Sequence, residues 1–292
     1  MAVTQLPLEI FDKRQCILGE GPVSSGPSHS DIQWVDIEGK KVLSRNLDSG
    51  QAHEYDVLED IGFVIPTASG KNLLGTVNGP VIYDGKEFKH FVSRQENDVT
   101  PMRWNDAKVD PFGDLWLGSM SYTEEGGHGA LYRLKGESKE LKKYLTSVSI
   151  SNGLAWSSDK KTMYYIDTLN FGVDAFDYSK DGISNRKLVI SFDTQYGHPD
   201  GMCIDTEDGL WIAFYHGGAV RRYDTRNNFI LTHEIKVPAE RTTSCAFAGK
   251  NLDKLIITSA ERNNPTSTPN DGQTFIAEPG FTGTATVLFA GA

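Results

Sequence analysis

Leu115-Trp-Leu-Gly-Ser-Met120 is the stretch that decides the fold, because the chain repeats it. Leu210-Trp-Ile-Ala-Phe214 is a near copy. Ile32-Gln-Trp-Val-Asp-Ile37, Leu73-Leu-Gly-Thr-Val77, Met163-Tyr-Tyr-Ile-Asp-Thr168 and Leu255-Ile-Ile-Thr-Ser259 complete the series. The starts fall 41, 42, 48, 47 and 45 residues apart. Each run is short, apolar and rich in aromatic or β-branched residues, which suits a buried strand. A second strand-like segment follows most of them, such as Gly129–Leu134, Val173–Tyr178 and Ala219–Asp224. Turn formers stand just before several runs: Gly113-Asp114, Ser158-Asp159 and Asp208-Gly209. No long amphipathic helix intervenes. A period of about 45 residues with four short strands per unit predicts an all-β, six-bladed β-propeller. A pair of β-sandwiches or a barrel would need this spacing to be accidental. The expectation is one propeller domain over residues 1–292. The apolar runs are read as the first, innermost strand of each blade.

The phase of four polar residues points to a site. Glu20 lies in Leu18-Gly-Glu-Gly-Pro22, Asn105 in Arg103-Trp-Asn-Asp106, Asn152 in Ser151-Asn-Gly-Leu154, and Asp200 in His198-Pro-Asp-Gly201. Asn105, Asn152 and Asp200 are 47 and then 48 residues apart, one repeat each time. Each precedes an apolar run by roughly 10 residues, and Glu20 precedes its own run by 12. Equivalent positions on successive blades face one axis, so the loops entering the runs are expected to gather these side chains at one end of a channel. Two carboxylates and two amides form a cage suited to a hard cation. Taken singly, Asn152-Gly153 and Asp200-Gly201 also read as ordinary turn dipeptides.

Composition excludes other classes. The net charge is −10 and no stretch is rich in Lys and Arg. A nucleic-acid partner is disfavoured, because neutralising phosphates needs a basic face. No apolar run approaches the roughly 18 residues that span a bilayer, so no membrane association is expected. The N-terminus lacks a secretory pattern. Three widely spaced cysteines, Cys16, Cys203 and Cys245, suit buried thiols in a reducing compartment. A cytoplasmic, monomeric protein is expected. His128, His198 and His216 show no zinc-ligand spacing and are read as loop residues or supports of a site. Ser119 and Ser151 lack the Gly-x-Ser-x-Gly elbow of a serine hydrolase. Trp34, Trp116, Trp156 and Trp211 are read as packing residues between blades, as are Tyr164 and Tyr165.

Longer motifs carry a family resemblance. They are Gly19-Glu-Gly-Pro22, Trp104-Asn-Asp-Ala-Lys-Val-Asp-Pro-Phe-Gly113, Ile150-Ser-Asn-Gly-Leu-Ala-Trp-Ser157, Tyr164-Tyr-Ile-Asp-Thr168, Val173-Asp-Ala-Phe-Asp-Tyr178, Pro199-Asp-Gly-Met-Cys-Ile-Asp205 and Thr242-Thr-Ser-Cys245. In these the chain resembles the senescence marker protein, gluconolactonase and luciferin-regenerating enzyme family. The resemblance is dense from about 100 to 260 and thin from about 40 to 98. It implies a six-bladed propeller with one divalent cation in its channel; an all-oxygen ligand set admits Ca²⁺, Zn²⁺, Mg²⁺ or Mn²⁺. It implies hydrolysis of small sugar-acid lactones. It places metal ligands on Glu20, Asn152 and Asp200, substrate contacts on Arg103 and Asn105, and proton transfer on Asp200. It also implies a substrate-contacting glutamate in the loop after Ser119-Met120. Thr123 stands at that position, with Glu124 and Glu125 next, so either Glu124 moves in or the contact is lost. A calcium-binding regulatory protein without important turnover is the alternative. A positive charge at Arg103 favours the enzyme, because a cation buffer gains nothing from it.

Overall fold

A computed structural model describes residues 3–93, 101–262 and 264–292. It contains six sheets arranged as the blades of a β-propeller, each of four antiparallel strands, one of them with a fifth, Thr4–Gln5, added in parallel at its outer edge. The innermost strands are Gly19–Ser25, Ile61–Pro66, Met102–Val109, Ser151–Trp156, His198–Ile204 and Thr242–Ala248, in blades 1 to 6. Among the described residues the only helical segments are two 3₁₀ turns, Thr168–Asn170 and Thr194–Tyr196. None is long and apolar enough to cross a membrane.

One part of the sequence reading is corrected. The apolar runs are the second strand of each blade: Asp31–Asp36, Asn72–Thr76, Leu115–Ser121, Thr162–Asp167, Gly209–Tyr215 and Lys254–Ser259. A second strand is pressed between neighbouring blades on both faces. It therefore reads as a continuous apolar stretch, as strands covered on both sides do. The innermost strand borders the channel and carries polar and small residues, so its apolar signal is weak. Crowding near the axis adds to this. A Cβ on Gly62 would stand 2.5 Å from the Trp104 carbonyl oxygen, and one on Gly153 would stand 2.8 Å from that of Asp200.

The blades are packed by the residues the sequence singled out. Trp34, Trp116 and Trp211 are fully buried and Trp156 nearly so. Two blades share a buried polar clasp. Asp110 accepts hydrogen bonds from Trp116 Nε1 at 3.0 Å and the Tyr178 hydroxyl at 2.6 Å. Its carboxylate also lies 3.4 Å from Arg133 Nη2. Asp205 accepts from Trp211 Nε1 at 2.9 Å and Arg222 Nε at 2.6 Å. In both, the aspartate stands six residues before the tryptophan.

The ring is closed by distant ends of the chain. Glu9–Asp12 pairs antiparallel with Thr274–Ala277 and becomes the outer strand of blade 6. The C-terminal segment crosses one face of the disc. Gly283 donates to the Leu252 carbonyl in blade 6, Phe289 to Pro66 in blade 2, and Ala290 to Gly113 in blade 3. Thr284–Val287 line a cavity of about 310 Å³ at that end of the channel.

Candidate functional site

The other end of the channel holds a second cavity of about 160 Å³. Glu20, Arg103, Asn105, Glu124, Asn152 and Asp200 all line it. These are the six residues the sequence nominated. They do not sit in loops entering the apolar runs, as expected. Glu20, Arg103, Asn105, Asn152 and Asp200 belong to the innermost strands themselves.

A repeated irregularity aims these side chains. Every innermost strand carries one extra residue against its second strand. The breaks fall between Glu20 and Val23, Trp104 and Ala107, Ser151 and Leu154, and Pro199 and Met202 in blades 1, 3, 4 and 5. Asn105, Asn152 and Asp200 lie inside the break and Glu20 at its edge. A bulge of this kind re-aims a side chain and ends local pairing. The Asn-Gly and Asp-Gly dipeptides thus mark bulges here, not hairpin turns. Two aspartates hold the start of these strands. Asp36 accepts from the backbone of Ile17 and Leu18 at 3.0 and 2.9 Å, just before Glu20. Asp167 accepts from Ser149 and Ile150, each at 3.1 Å to its nearer oxygen, just before Asn152.

A buried hydrogen-bond chain orders the amides. Arg103 Nη1 donates to Asn105 Oδ1 at 2.6 Å and to the Trp104 carbonyl at 3.1 Å. Asn105 Nδ2 donates to Asn152 Oδ1 at 2.9 Å and to the Ser151 carbonyl at 2.8 Å. Asn152 Nδ2 donates to Thr168 Oγ1 at 2.7 Å, and Thr168 Oγ1 donates in turn to the Pro199 carbonyl at 2.9 Å. The Asn152 amide is thereby oriented at both ends.

The two carboxyls, Glu20 and Asp200, line the same cavity at this end of the channel, and each is buried. Burial, then the charge of Asp106, pushes Glu20 up to about 8. Burial, then the charge of Glu20, pushes Asp200 well above the usual carboxylate range. Arg103 opposes both shifts. Buried acids held this close want a cation between them. Among the described residues no three His, Cys, Asp or Glu side chains cluster as ligands. The donor set is instead two carboxylates and the oriented Oδ1 of Asn152, all hard oxygen donors, and it fits a divalent cation such as Ca²⁺ or Mg²⁺.

The loop after Ser121 places Glu124 on the cavity wall. Thr123 turns away and shares a hydrogen bond with Ser121 Oγ at 2.8 Å. Glu124 Oε1 lies 2.7 Å from Arg262 Nη1. His198 and His216 line the mouth with rings 5.9 Å apart, whereas His128 lies outside beside Glu125. Ser151 Oγ accepts from the Tyr165 hydroxyl at 2.8 Å, and Ser119 Oγ from the Ala130 backbone at 3.1 Å. Among the described residues neither is paired with a histidine. Cys16, Cys203 and Cys245 are buried and free. Burial raises the Cys16 thiol to about 12.

Sequence reasoning missed Thr168, Tyr215 and Arg262, which complete the wall. All follow or end second strands. Thr168 was visible as the last residue of Tyr164-Tyr-Ile-Asp-Thr168, but nothing in that run marks it as a support for Asn152.

Known proteins share this architecture and more. The chain is 37% identical over 271 residues to regucalcin of Danio rerio, covering 88% of each. It superposes on a solved luciferin-regenerating enzyme with a TM-score of 0.90 at 30% identity, covering 97% of this chain and 99% of that one. A structure described as a calcium-binding protein, regucalcin, from Agrobacterium tumefaciens matches with a TM-score of 0.91 at 25% identity, covering 99% of both. The model of the SMP-30/gluconolactonase/LRE-like region matches residues 18–261, from just before Glu20 to just before Arg262, and the chain belongs to that family.

Proposed function

We propose that the protein is a divalent-metal-dependent lactonase that hydrolyses sugar-acid lactones. One observation carries the reading: a buried arginine stands beside two buried carboxyls at the open end of a channel. A site that only stored a cation would gain nothing from Arg103, whose burial is costly. An enzyme that binds polar rings and stabilises a developing oxyanion does gain from it.

Glu20, Asp200 and Asn152 Oδ1 would hold the cation, which when bound supplies a lowered water pKa and a polarised carbonyl. The chain's own groups do the rest. Asp200 takes a proton from the attacking water at a carboxylate oxygen and returns it to the departing ring oxygen. Glu20 carries negative charge opposite it and keeps Asp200 basic. Arg103 uses Nη1 to hold Asn105 and the Trp104 carbonyl. Its other donors have no hydrogen-bond partner among the described residues and serve the substrate's hydroxyls or developing charge. Asn105 fixes Arg103 and Asn152 in register. Glu124, on the wall, accepts from a ring hydroxyl.

A second reading is a calcium-binding protein without important turnover. The Agrobacterium tumefaciens relative, described as a calcium-binding protein, supports it. One experiment separates the two. Protein stripped with a chelator is assayed against a lactone panel, then again with one equivalent of Ca²⁺, Mn²⁺, Zn²⁺ or Mg²⁺. Loss of hydrolysis and its return with an ion is expected. Full activity in metal-free protein removes the metal. Ion binding with no hydrolysis of any lactone leaves the calcium-binding reading.

A further inference from the structure

An ion bridge crosses the mouth of the channel, and the mechanism above uses only its Glu124 end. Arg262 follows the second strand of blade 6. Its Nη1 lies 2.7 Å from Glu124 Oε1, and its Nε lies 2.8 Å from Glu38 Oε1. Glu38 belongs to blade 1, beside blade 6 in the ring. Glu124 belongs to blade 3, on the far side of the ring. A side chain that reaches both must span the opening. Arg262 lines the same cavity as Glu20, Arg103 and Asp200.

The bar is anchored through its main chain. The Arg262 N–H donates to the Ile17 carbonyl at 2.9 Å. Arg241 Nη1 donates to the Glu261 carbonyl at 3.0 Å and also to the Arg262 carbonyl. Two of the three residues of the bridge have left-handed backbone, with φ of 58° at Glu124 and 26° at Arg262. Such values are uncommon for residues with a side chain and persist where the surroundings impose them. Burial and then the charge of Arg262 hold Arg103 below its usual pKa, so the two guanidiniums face one volume.

Partly exposed ion pairs are weak. The Arg262 contacts therefore yield to a ligand, while the anchored backbone keeps the side chain over the opening. That makes a size filter and not a seal. The cavity beneath is about 160 Å³, below the roughly 300–1,000 Å³ of pockets for drug-sized ligands. It has room for one small ring.

We propose that Arg262, held by Glu38 and Glu124, is a crossbar that sets substrate size: it admits lactones of one sugar ring and turns away those carrying a second. The substrate class rests on the lactonase reading; the crossbar itself does not. The test compares kcat/KM for glucono-δ-lactone and its 4-O-galactosyl derivative in the wild type, Arg262→Ala and Arg262→Lys, each loaded with Mn²⁺. In Arg262→Ala the two-ring to one-ring ratio is expected to rise by about tenfold or more, the scale of steric discrimination in a pocket. Arg262→Lys should stay nearer the wild type. A second readout needs neither turnover nor metal. His198 lies in the cavity and His128 outside it. Carbethoxylation by diethyl pyrocarbonate, followed by mass spectrometry, should speed up at His198 relative to His128 when the bar is removed. An unchanged substrate ratio in folded Arg262→Ala overturns the size filter. If the wild type hydrolyses no lactone with any ion, the lactonase reading falls and His198 decides alone: faster labelling supports the crossbar, and unchanged labelling overturns it.

Discussion

Thr168→Val tests whether the hydrogen-bond chain, and not the ligands alone, makes the ion site. Valine keeps the shape and removes Oγ1. Two bonds are lost, that from Asn152 Nδ2 at 2.7 Å and that to the Pro199 carbonyl at 2.9 Å. Thr168 and Asn152 are both buried, so water cannot replace the lost acceptor freely. Asn152 cannot escape by flipping its amide, because Nδ2 would then meet Asn105 Nδ2, which now donates to Oδ1 at 2.9 Å. A buried donor left unsatisfied costs about 1–3 kcal/mol. Part of that cost is relieved if Asn152 leaves its present position, and ion affinity is what suffers. Residues that orient metal ligands typically contribute about 10- to 100-fold in affinity, which matches that energy. Chelator-stripped Thr168→Val should therefore bind Ca²⁺ or Mn²⁺ about 10- to 100-fold more weakly by calorimetric titration. Thr168→Ser keeps the hydroxyl and should bind like the wild type. An affinity in Thr168→Val within about twofold of the wild type, or an equal loss in Thr168→Ser, would refute the reasoning.

Three more expectations follow from the same geometry. Arg103→Ala should lower lactone kcat/KM by roughly 10- to 150-fold with ion affinity intact, whereas Glu20→Ala should weaken ion binding first and recover activity at excess ion; strong loss of ion binding in Arg103→Ala would move that residue to the ion's support. Glu20 and Asp200 hold protons to higher pH in the folded, metal-free protein than in the unfolded chain. Their contribution to stability is therefore present below the ordinary Glu value of 4.5 and is lost as pH rises through Glu20's value of about 8. A saturating divalent ion should thus raise Tm more at pH 8 than at pH 5.5, and an equal or smaller rise at pH 8 would contradict the upward shift of the two carboxyls. Asp205→Ala strands the buried Arg222 and the Trp211 indole, and denaturant unfolding should show a loss of about 3–5 kcal/mol; a loss under about 1 kcal/mol would mean that water or a neighbour replaces the carboxylate.

The period of the apolar runs determined the propeller and its six blades, because only a recurring unit spaces buried strands so evenly. The same phase brought Asn105, Asn152 and Asp200 to one axis, since equivalent positions in a ring of blades are equivalent in space. Glu20 followed by the same rule. The order of strands within a blade was not legible. The most apolar run is the one covered on both sides, and the innermost strand hides its role behind the polar residues that face the channel. The bulges were also invisible as bulges. An Asn-Gly pair has the same letters in a hairpin as in a strand with one extra residue, and only pairing partners tell them apart. Thr168 and Tyr215 each stand five residues after the start of an apolar run and are themselves in phase, but their types, a threonine and a tyrosine, did not mark them as site residues. Arg262 lies in the loop after the last run, which no spacing rule reaches. Whether Glu124 or Thr123 faces the cavity depended on one left-handed backbone angle at Glu124 and an ion pair with a residue 138 positions later. Such contacts are made by the closing of the ring, and closure is a property of the whole chain.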